Sequence, residues 1–427
     1  MDDLEFNSLC VIGMGYIGLP TASIFASNGI HVIGMDINTE IIEGLKVGKL
    51  HIIEPGLRGL VLDALASGRL EISTEVQPAD AFIIAVPTPF YEDKRADLRA
   101  VVSAAESILP HLKPGNLVIL ESTSPPRTTV DVVAPILEKS GLKAGEDFLL
   151  AYSPERVLPG RILRELVENP RVIGGINPAS AEAGRDLYRK IVKGDIVLTD
   201  ATTAELVKLM ENTSRDINIA IANEFSRLAQ MFDVDIWEAV QIANLHPRVE
   251  IFRPGLGVGG HCIGVDPWFL VEAAPDTSKL IKTARQINDE QPQFVSELID
   301  KTAGGLSGKT VALLGLAYKP DVDDLRESPA RELVYRLQDM GAVVYAYEPY
   351  KENAGLPGIS QVESLEAALI NADLIVLAVG HQQFKDLDPA VIRKNTKASV
   401  VFDAVNGWDK PTWEKEGFEF YGLARKS

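Results

Sequence analysis

Cys262 lies in the run GVGGHCIGVDP (Gly257–Pro267), and the only other cysteine, Cys10, sits in an apolar stretch. A thiol among glycines has a backbone that another group can approach closely, and its thiolate would be a nucleophile. The plainer alternative is a small buried hydrophobe. His261 beside it makes a poor base, because adjacent side chains rarely point the same way; a structural or contact role suits it better. Asp266, before Pro267, reads as a turn former. A second group, Lys208, Asn212 and Arg215, is spaced by four and three residues and shares one face of a helix. That face is either a solvated polar stripe or, on a helix otherwise apolar, a partly buried Lys beside an amide that can hold a developing oxyanion. The third group is Gly13-Met14-Gly15-Tyr16-Ile17-Gly18, with Asp36 18 residues beyond its last glycine. Such glycines bring backbone close to a pyrophosphate at a helix N-terminus. An acid so placed accepts from ribose hydroxyls and repels a 2′-phosphate, which selects NAD over NADP.

These groups need elements to hold them. Leu9–Gly13 reads as a strand, Tyr16–Ser27 as a helix closed by Gly29, and His31–Asp36 as a second strand. Buried strands are predicted at Asp80–Pro87, Asn116–Thr123, Asp147–Glu155 and Arg171–Gly175, with helical segments between most of them, the pattern of a parallel sheet wound on both sides. Open sheets hold ligands at strand ends, so VPTP (Val86–Pro89) and EST (Glu121–Thr123) are candidate cofactor contacts. Thr202 to about Phe232 reads as one long helix whose middle, Ile217–Ala222, is apolar nearly all round and is expected to be buried on several sides. A second alternating unit starts near Lys309. The expected architecture is α/β, with two doubly wound Rossmann-like domains (1–200 and 304–427) joined by a central helical domain (201–303) that carries the long connecting helix.

With 427 residues, 46% of them hydrophobic and 24% charged, the chain is globular and has more than one core. A net charge of −18 argues against nucleic acid or an anionic membrane surface as partner, although a small anionic ligand needs only local Arg and Lys. No apolar run reaches the roughly 18 residues that span a bilayer. The acidic start MDDLEFNS lacks a basic n-region, and two cysteines give no disulfide framework, so a soluble cytoplasmic protein is expected. No metal site is expected.

Taken in order, the Gly13–Gly18 fingerprint, VPTP, EST, SPERVLPG (Ser153–Gly160), KLMENTSRD (Lys208–Asp216), GVGGHCIGVDP and GLAYKPDVDDLRESP (Gly315–Pro329) resemble the UDP-glucose/GDP-mannose dehydrogenase family across nearly the whole chain. The resemblance implies an NAD-dependent, four-electron oxidation of a nucleotide sugar's 6-hydroxyl to a carboxylate, serving surface polysaccharide precursors. It casts Cys262 as the nucleophile that captures the aldehyde, Lys208 and Asn212 as oxyanion stabilisers, and Asp266 as the acid that positions or activates water. Glu155 is cast in hydrolysis and Thr123 as a hydroxyl near the cofactor and reacting carbon. NAD contacts are implied for Gly13, Gly15, Tyr16, Ile17, Gly18 and Asp36, and for Pro87, Thr88, Thr123 and Arg326. UDP-sugar contacts are implied for Glu155, Arg156, Val157, Lys208, Asn212 and Arg215. Further ones fall on His246, Arg248, Phe252, Arg253, Gly259, Lys319 and Arg326. Lys319 and Arg326 would hold the pyrophosphate, and Arg248 would reach it from the neighbouring subunit of a homodimer or higher oligomer.

Within the family, HIIEPGL (His51–Leu57), HPRV (His246–Val249), VDPWF (Val265–Phe269) and DDLRESPA (Asp323–Ala330) resemble the members that act on UDP-N-acetylhexosamines, UDP-N-acetyl-D-mannosamine foremost. Val265 stands where many UDP-glucose enzymes have lysine. UDP-N-acetylglucosamine and UDP-glucose stay open as substrates. So do a two-electron hydroxy-acid dehydrogenase, which would leave Cys262 idle, and a non-catalytic NAD-binding regulator.

Overall fold

A computed structural model describes residues 5–260 and 262–425, so His261 lies outside the described residues. Alternation along the strands dictates the architecture. In β1 (Ser8–Ile12), Leu9 and Val11 enter one apolar core while Cys10 and Ile12 enter another. A strand buried on both faces must sit inside a sheet covered on both sides. With β2 (His31–Met35), β3 (Leu70–Ser73), β4 (Ala81–Ile84) and β5 (Leu117–Leu120), it forms one half of that sheet. The other half is β6 (Leu149–Tyr152), β7 (Arg171–Gly175) and β8 (Ile196–Asp200), in the order β3-β2-β1-β4-β5-β6-β7-β8.

The sheet departs from the expected parallel pattern at one place. β7 runs antiparallel to β6, pairing Ala151 with Gly175 and Tyr152 with Gly174. Residues 153–170 form a loop and the short helix Ile162–Glu168. The chain therefore turns back at the same end of the sheet instead of crossing over. The reversal sets the start of β7 beside the carboxyl ends of β5 and β6, where open α/β sheets bind ligands.

β9 (Thr310–Leu314), β10 (Val343–Tyr347), β11 (Ser360–Val362), β12 (Leu374–Leu377), β13 (Val400–Asp403) and β14 (Glu419–Gly422) form a second, wholly parallel sheet, in the order β11-β10-β9-β12-β13-β14. Here too alternate residues part: Val311 and Leu313 face one core, Ala312 and Leu314 the other. The order repeats that of the first six strands of the larger sheet, down to a local bond. Gly13 N–H donates to Met35 O at 2.8 Å, and Gly315 N–H to Tyr347 O at 2.9 Å.

The long helix spans Ala201–Phe232. Its partner Lys279–Thr302 meets it along a polar seam: Arg285 and Asn288 on Asp216, Asn288 on Asn223 (2.9 Å), and Arg227 on Gln291 (2.9 Å). Within one chain the stretch Ile217–Ala222 is buried only in part. Ala220 and Ala222 are buried, Ile217 and Ile219 half-buried, and Ile221 is 42% exposed. Small and polar residues make the seam, which leaves the larger apolar ones outside it. Compactness divides the chain into residues 1–211 with 268–275 and residues 212–267 with 276–427. Among the described residues no helix is long and apolar enough to cross a membrane.

Candidate active site

The fingerprint turn fits a dinucleotide. Gly13 adopts φ +101°, and a Cβ there would stand 2.5 Å from Ala85 O; one on Gly18 would stand 1.7 Å from Gly13 O. Both glycines are needed for the turn itself. Gly15 differs: nothing lies within 4 Å of its missing Cβ, so its bare face is open to a phosphate. The helix behind it, Gly18–Ser27, has no side-chain cap at Ile17; its Leu19 N–H bonds to Gly15 O at 3.1 Å and Pro20 has no N–H, so an anion there would meet the turn that opens the helix. Asp36 follows β2 and accepts from Met14 N at 2.8 Å and Asn38 N at 2.8 Å, which fixes a half-buried carboxylate at the turn. Tyr16 and Ile17 are half-buried beside it and Pro87 is exposed. The Thr88 hydroxyl donates to Thr123 O at 2.5 Å, tying the ends of β4 and β5 and leaving its oxygen as an acceptor.

Behind these strand ends lies a cluster that sequence reasoning missed. Arg171, buried at the start of β7, bonds to Glu121 Oε1 (3.0 Å), to Ser153 Oγ (2.9 Å) and to Glu155, and its guanidinium stacks 4.0 Å from the Tyr188 ring. The Tyr188 hydroxyl donates to Glu121 at 2.8 Å. Burial pushes the Glu121 carboxyl up to about 6 despite Arg171, while burial and the Glu121 charge push the Tyr188 hydroxyl well above its ordinary value. Glu121, the first residue of EST, therefore turns its side chain inward. The available signal was an Arg opening the otherwise apolar strand RVIGG. Glu155 is held by Arg171 and by Arg156 N–H (2.6 Å). The Arg156 side chain is engaged by Glu211 (2.7 Å) and by Pro170 O, and Val157 packs on the apolar core.

In the second unit the glycine loop is seated on the polar seam. Asn223 Oδ1 accepts from Gly255 N–H at 2.9 Å, and Gln291 donates to Gly255 O at 3.2 Å. Pro292 has no N–H for the Asn288 carbonyl, and Gly257 (φ +120°) lies against that oxygen, 2.5 Å from where its Cβ would be. A Cβ on Gly259 would stand 2.5 Å from Glu327 O and one on Gly260 2.9 Å from the Tyr318 ring, while Gly260 N–H donates to Arg326 O at 3.1 Å. The group that approaches these glycines is thus the protein's own 318–329 loop. Cys262 follows, half-buried, and its carbonyl accepts from Val265 N (3.0 Å) and Asp266 N (2.8 Å). Cys10, by contrast, is fully buried, and burial pushes its thiol up to about 11.

Asp266 is 2% exposed and opens the helix Asp266–Ala273; its Oδ2 accepts from the Asn212 amide at 2.5 Å. Lys208, one turn earlier on the long helix, is only 7% exposed, which removes the solvated-stripe reading for that position. Arg215 is exposed, with its guanidinium 5.7 Å from the Phe252 ring. His246, Arg248, Arg253, Lys319 and Arg326 are also exposed, and Arg326 forms a two-point pair with Asp324 at 2.9 and 2.7 Å. Thus Thr123, Glu155 and Lys208 belong to the first unit, and Asn212, Cys262 and Asp266 to the second.

Three models of one family match the chain. They describe the UDP-glucose/GDP-mannose dehydrogenase family's NAD binding domain over residues 7–192, its central domain over 202–290 and its UDP binding domain over 312–410. A UDP-N-acetyl-D-mannosamine dehydrogenase of Methanocaldococcus jannaschii is 47% identical over 97% of this chain and 96% of its own. An NDP-N-acetyl-D-galactosaminuronic acid dehydrogenase of Ralstonia nicotianae is 46% identical over 95% and 97%. The solved structure of a UDP-D-ManNAc dehydrogenase from Pyrococcus horikoshii superposes with a TM-score of 0.91 at 42% identity, covering 98% of this chain and 99% of that one.

Proposed function

The chain belongs to the UDP-glucose/GDP-mannose dehydrogenase family, and from that premise we propose that it oxidises the 6-hydroxyl of UDP-N-acetyl-D-mannosamine to the uronate. NAD, bound at Gly13–Gly18 and Asp36, supplies the hydride acceptor for each of two oxidations. The chain's own part centres on the thiol. The Cys262 thiolate forms a C–S bond to the C6 aldehyde, and the thiohemiacetal becomes a thioester on losing hydride. Water then breaks the C–S bond and the thiol is regenerated. Alcohol and water together yield carboxylate, two hydrides and three protons. A covalent adduct keeps a reactive aldehyde from escaping between the two oxidations.

The observation that carries this reading is the bonding around Cys262: Asp266 reaches the Cys262 carbonyl through its N–H and the Asn212 amide through its carboxylate. One Asn212 hydrogen is spent on Asp266, which aims the other, and the buried Lys208 ammonium stands one turn away, together a donor pair for an oxyanion. Glu155, steadied by Arg171, is assigned to the hydrolytic step. The test is NADH formation on UDP-N-acetylmannosamine, UDP-N-acetylglucosamine, UDP-N-acetylgalactosamine and UDP-glucose. The first is expected to give the highest kcat/KM, and a preference for UDP-glucose would overturn the assignment.

We also infer a homodimer in the cytoplasm. Ile221, Phe225, Leu228 and Phe232 recur at four- and three-residue spacing on the long helix and are 42%, 38%, 42% and 67% exposed, the stripe of a helix that packs on a copy of itself. Light scattering should give twice 46.4 kDa; an active monomer would refute the dimer.

A further inference from the structure

Glu348 follows β10 as Asp36 follows β2, and it makes the same bond to the glycine turn of its own sheet. Its Oε2 accepts from Leu316 N at 2.8 Å and Ala317 N at 2.9 Å, and its Oε1 from Tyr350 N at 3.0 Å. There the likeness ends. Asp36 stays half-exposed, whereas Glu348 is 2% exposed and its Oε2 also meets Nε2 of His381, a residue 0% exposed, at 3.1 Å. The second sheet's acid is closed to a ribose.

His381 follows β12, and its other nitrogen, Nδ1, accepts the Asp321 N–H at 2.8 Å. That bond fixes the tautomer: Nδ1 carries no proton, so Nε2–H donates to Glu348. Asp321 has φ +60°, a conformation few side chains adopt unaided, and Oδ1 of its carboxylate accepts from Gln382 N (2.9 Å) and the Tyr350 hydroxyl (3.1 Å). The segment between Ala317 and Asp321 is thus anchored at one end by Glu348 and at the other by His381. The exposed Lys319 lies between the anchors.

We propose that His381 is a positioning residue for the Gly315–Asp321 segment, setting where Lys319 meets the diphosphate of a nucleoside-diphosphate ligand. This rests on the reading that places Lys319 on the substrate's diphosphate. His381→Phe keeps a ring but removes both bonds. His381→Asn keeps an acceptor for Asp321 N–H, while Glu348 retains its three backbone donors.

The experiment titrates UDP and NAD separately into the full-length protein and its His381→Phe, His381→Asn and Lys319→Ala variants. Loss of both buried bonds of the ring is expected to weaken UDP about tenfold in His381→Phe. NAD affinity should be unchanged, and His381→Asn should recover most of the UDP loss. In turnover, KM for the UDP-sugar should rise more than kcat falls. If Lys319→Ala weakens UDP and neither His381 variant does, the positioning role is overturned. If His381→Phe weakens UDP and NAD alike, the histidine merely supports the fold. If Lys319→Ala leaves UDP binding intact, the reading of Lys319 falls and this role falls with it.

Discussion

Cys262→Ser is expected to lower steady uronate formation by about a thousand-fold or more, because removing a covalent nucleophile costs rates of that order. A serine hydroxyl stays protonated at neutral pH. The loop itself should survive the change. It is seated by Gly255 on Asn223 and Gln291 and by Gly260 on Arg326, and none of those bonds involves the thiol. NAD and UDP titrations should therefore match the parent. Supplying the 6-aldehyde directly should not rescue the variant, since the missing step comes after the aldehyde. Product and NADH are followed together by mass and absorbance. Near-normal uronate from the serine variant would make the thiol a spectator.

The second large effect concerns Arg171→Met. It leaves Glu121 and Glu155 without the guanidinium that both share, inside a pocket where the Arg171 side chain is 5% exposed and Glu121 0%. Removing one partner of a buried ion pair costs about 3–5 kcal/mol. The pH dependence has a definite sign. The Glu121 carboxyl lies at about 6 in the folded chain against an ordinary 4.5, so its stability contribution is full below the lower value and is lost as pH rises through the upper one. Without Arg171 the folded value climbs further. The deficit of the variant should be smallest near pH 5 and largest at pH 8. Arg171→Lys keeps a charge but not the two-sided reach, and should fall between. Thermal melting at both pH values checks this; a uniform deficit, or none, would remove Arg171 from its role.

What could be read in the sequence was what is local. β1, β4, β5, β12 and β13 are short apolar runs buried on both faces, and each is legible alone. β3, β8, β11 and β14 lie at sheet edges, half exposed, and Leu70–Ser73 or Ser360–Val362 has no pattern that separates it from loop. The β6–β7 reversal was illegible for another reason: strand direction depends on where a chain returns, not on which residues it contains. The same holds for the site. The Gly13–Gly18 turn and the Cys262 loop declare themselves by composition. Arg171 meeting Glu121 across 50 residues, Asn212 meeting Asp266 across 54 and Asp321 meeting His381 across 60 are set by topology alone.

The glycines at 259 and 260 have a mechanical consequence. With Gly259 against Glu327 O and Gly260 bonded to Arg326 O, the two loops meet backbone to backbone, and the Tyr318 ring fills the space a Gly260 side chain would need. A backbone packed on backbone transmits displacement with little slack. The segment that carries Lys319 and Arg326 and the segment that carries the thiol are therefore expected to shift together, so that a displacement at Lys319 is felt at the sulfur.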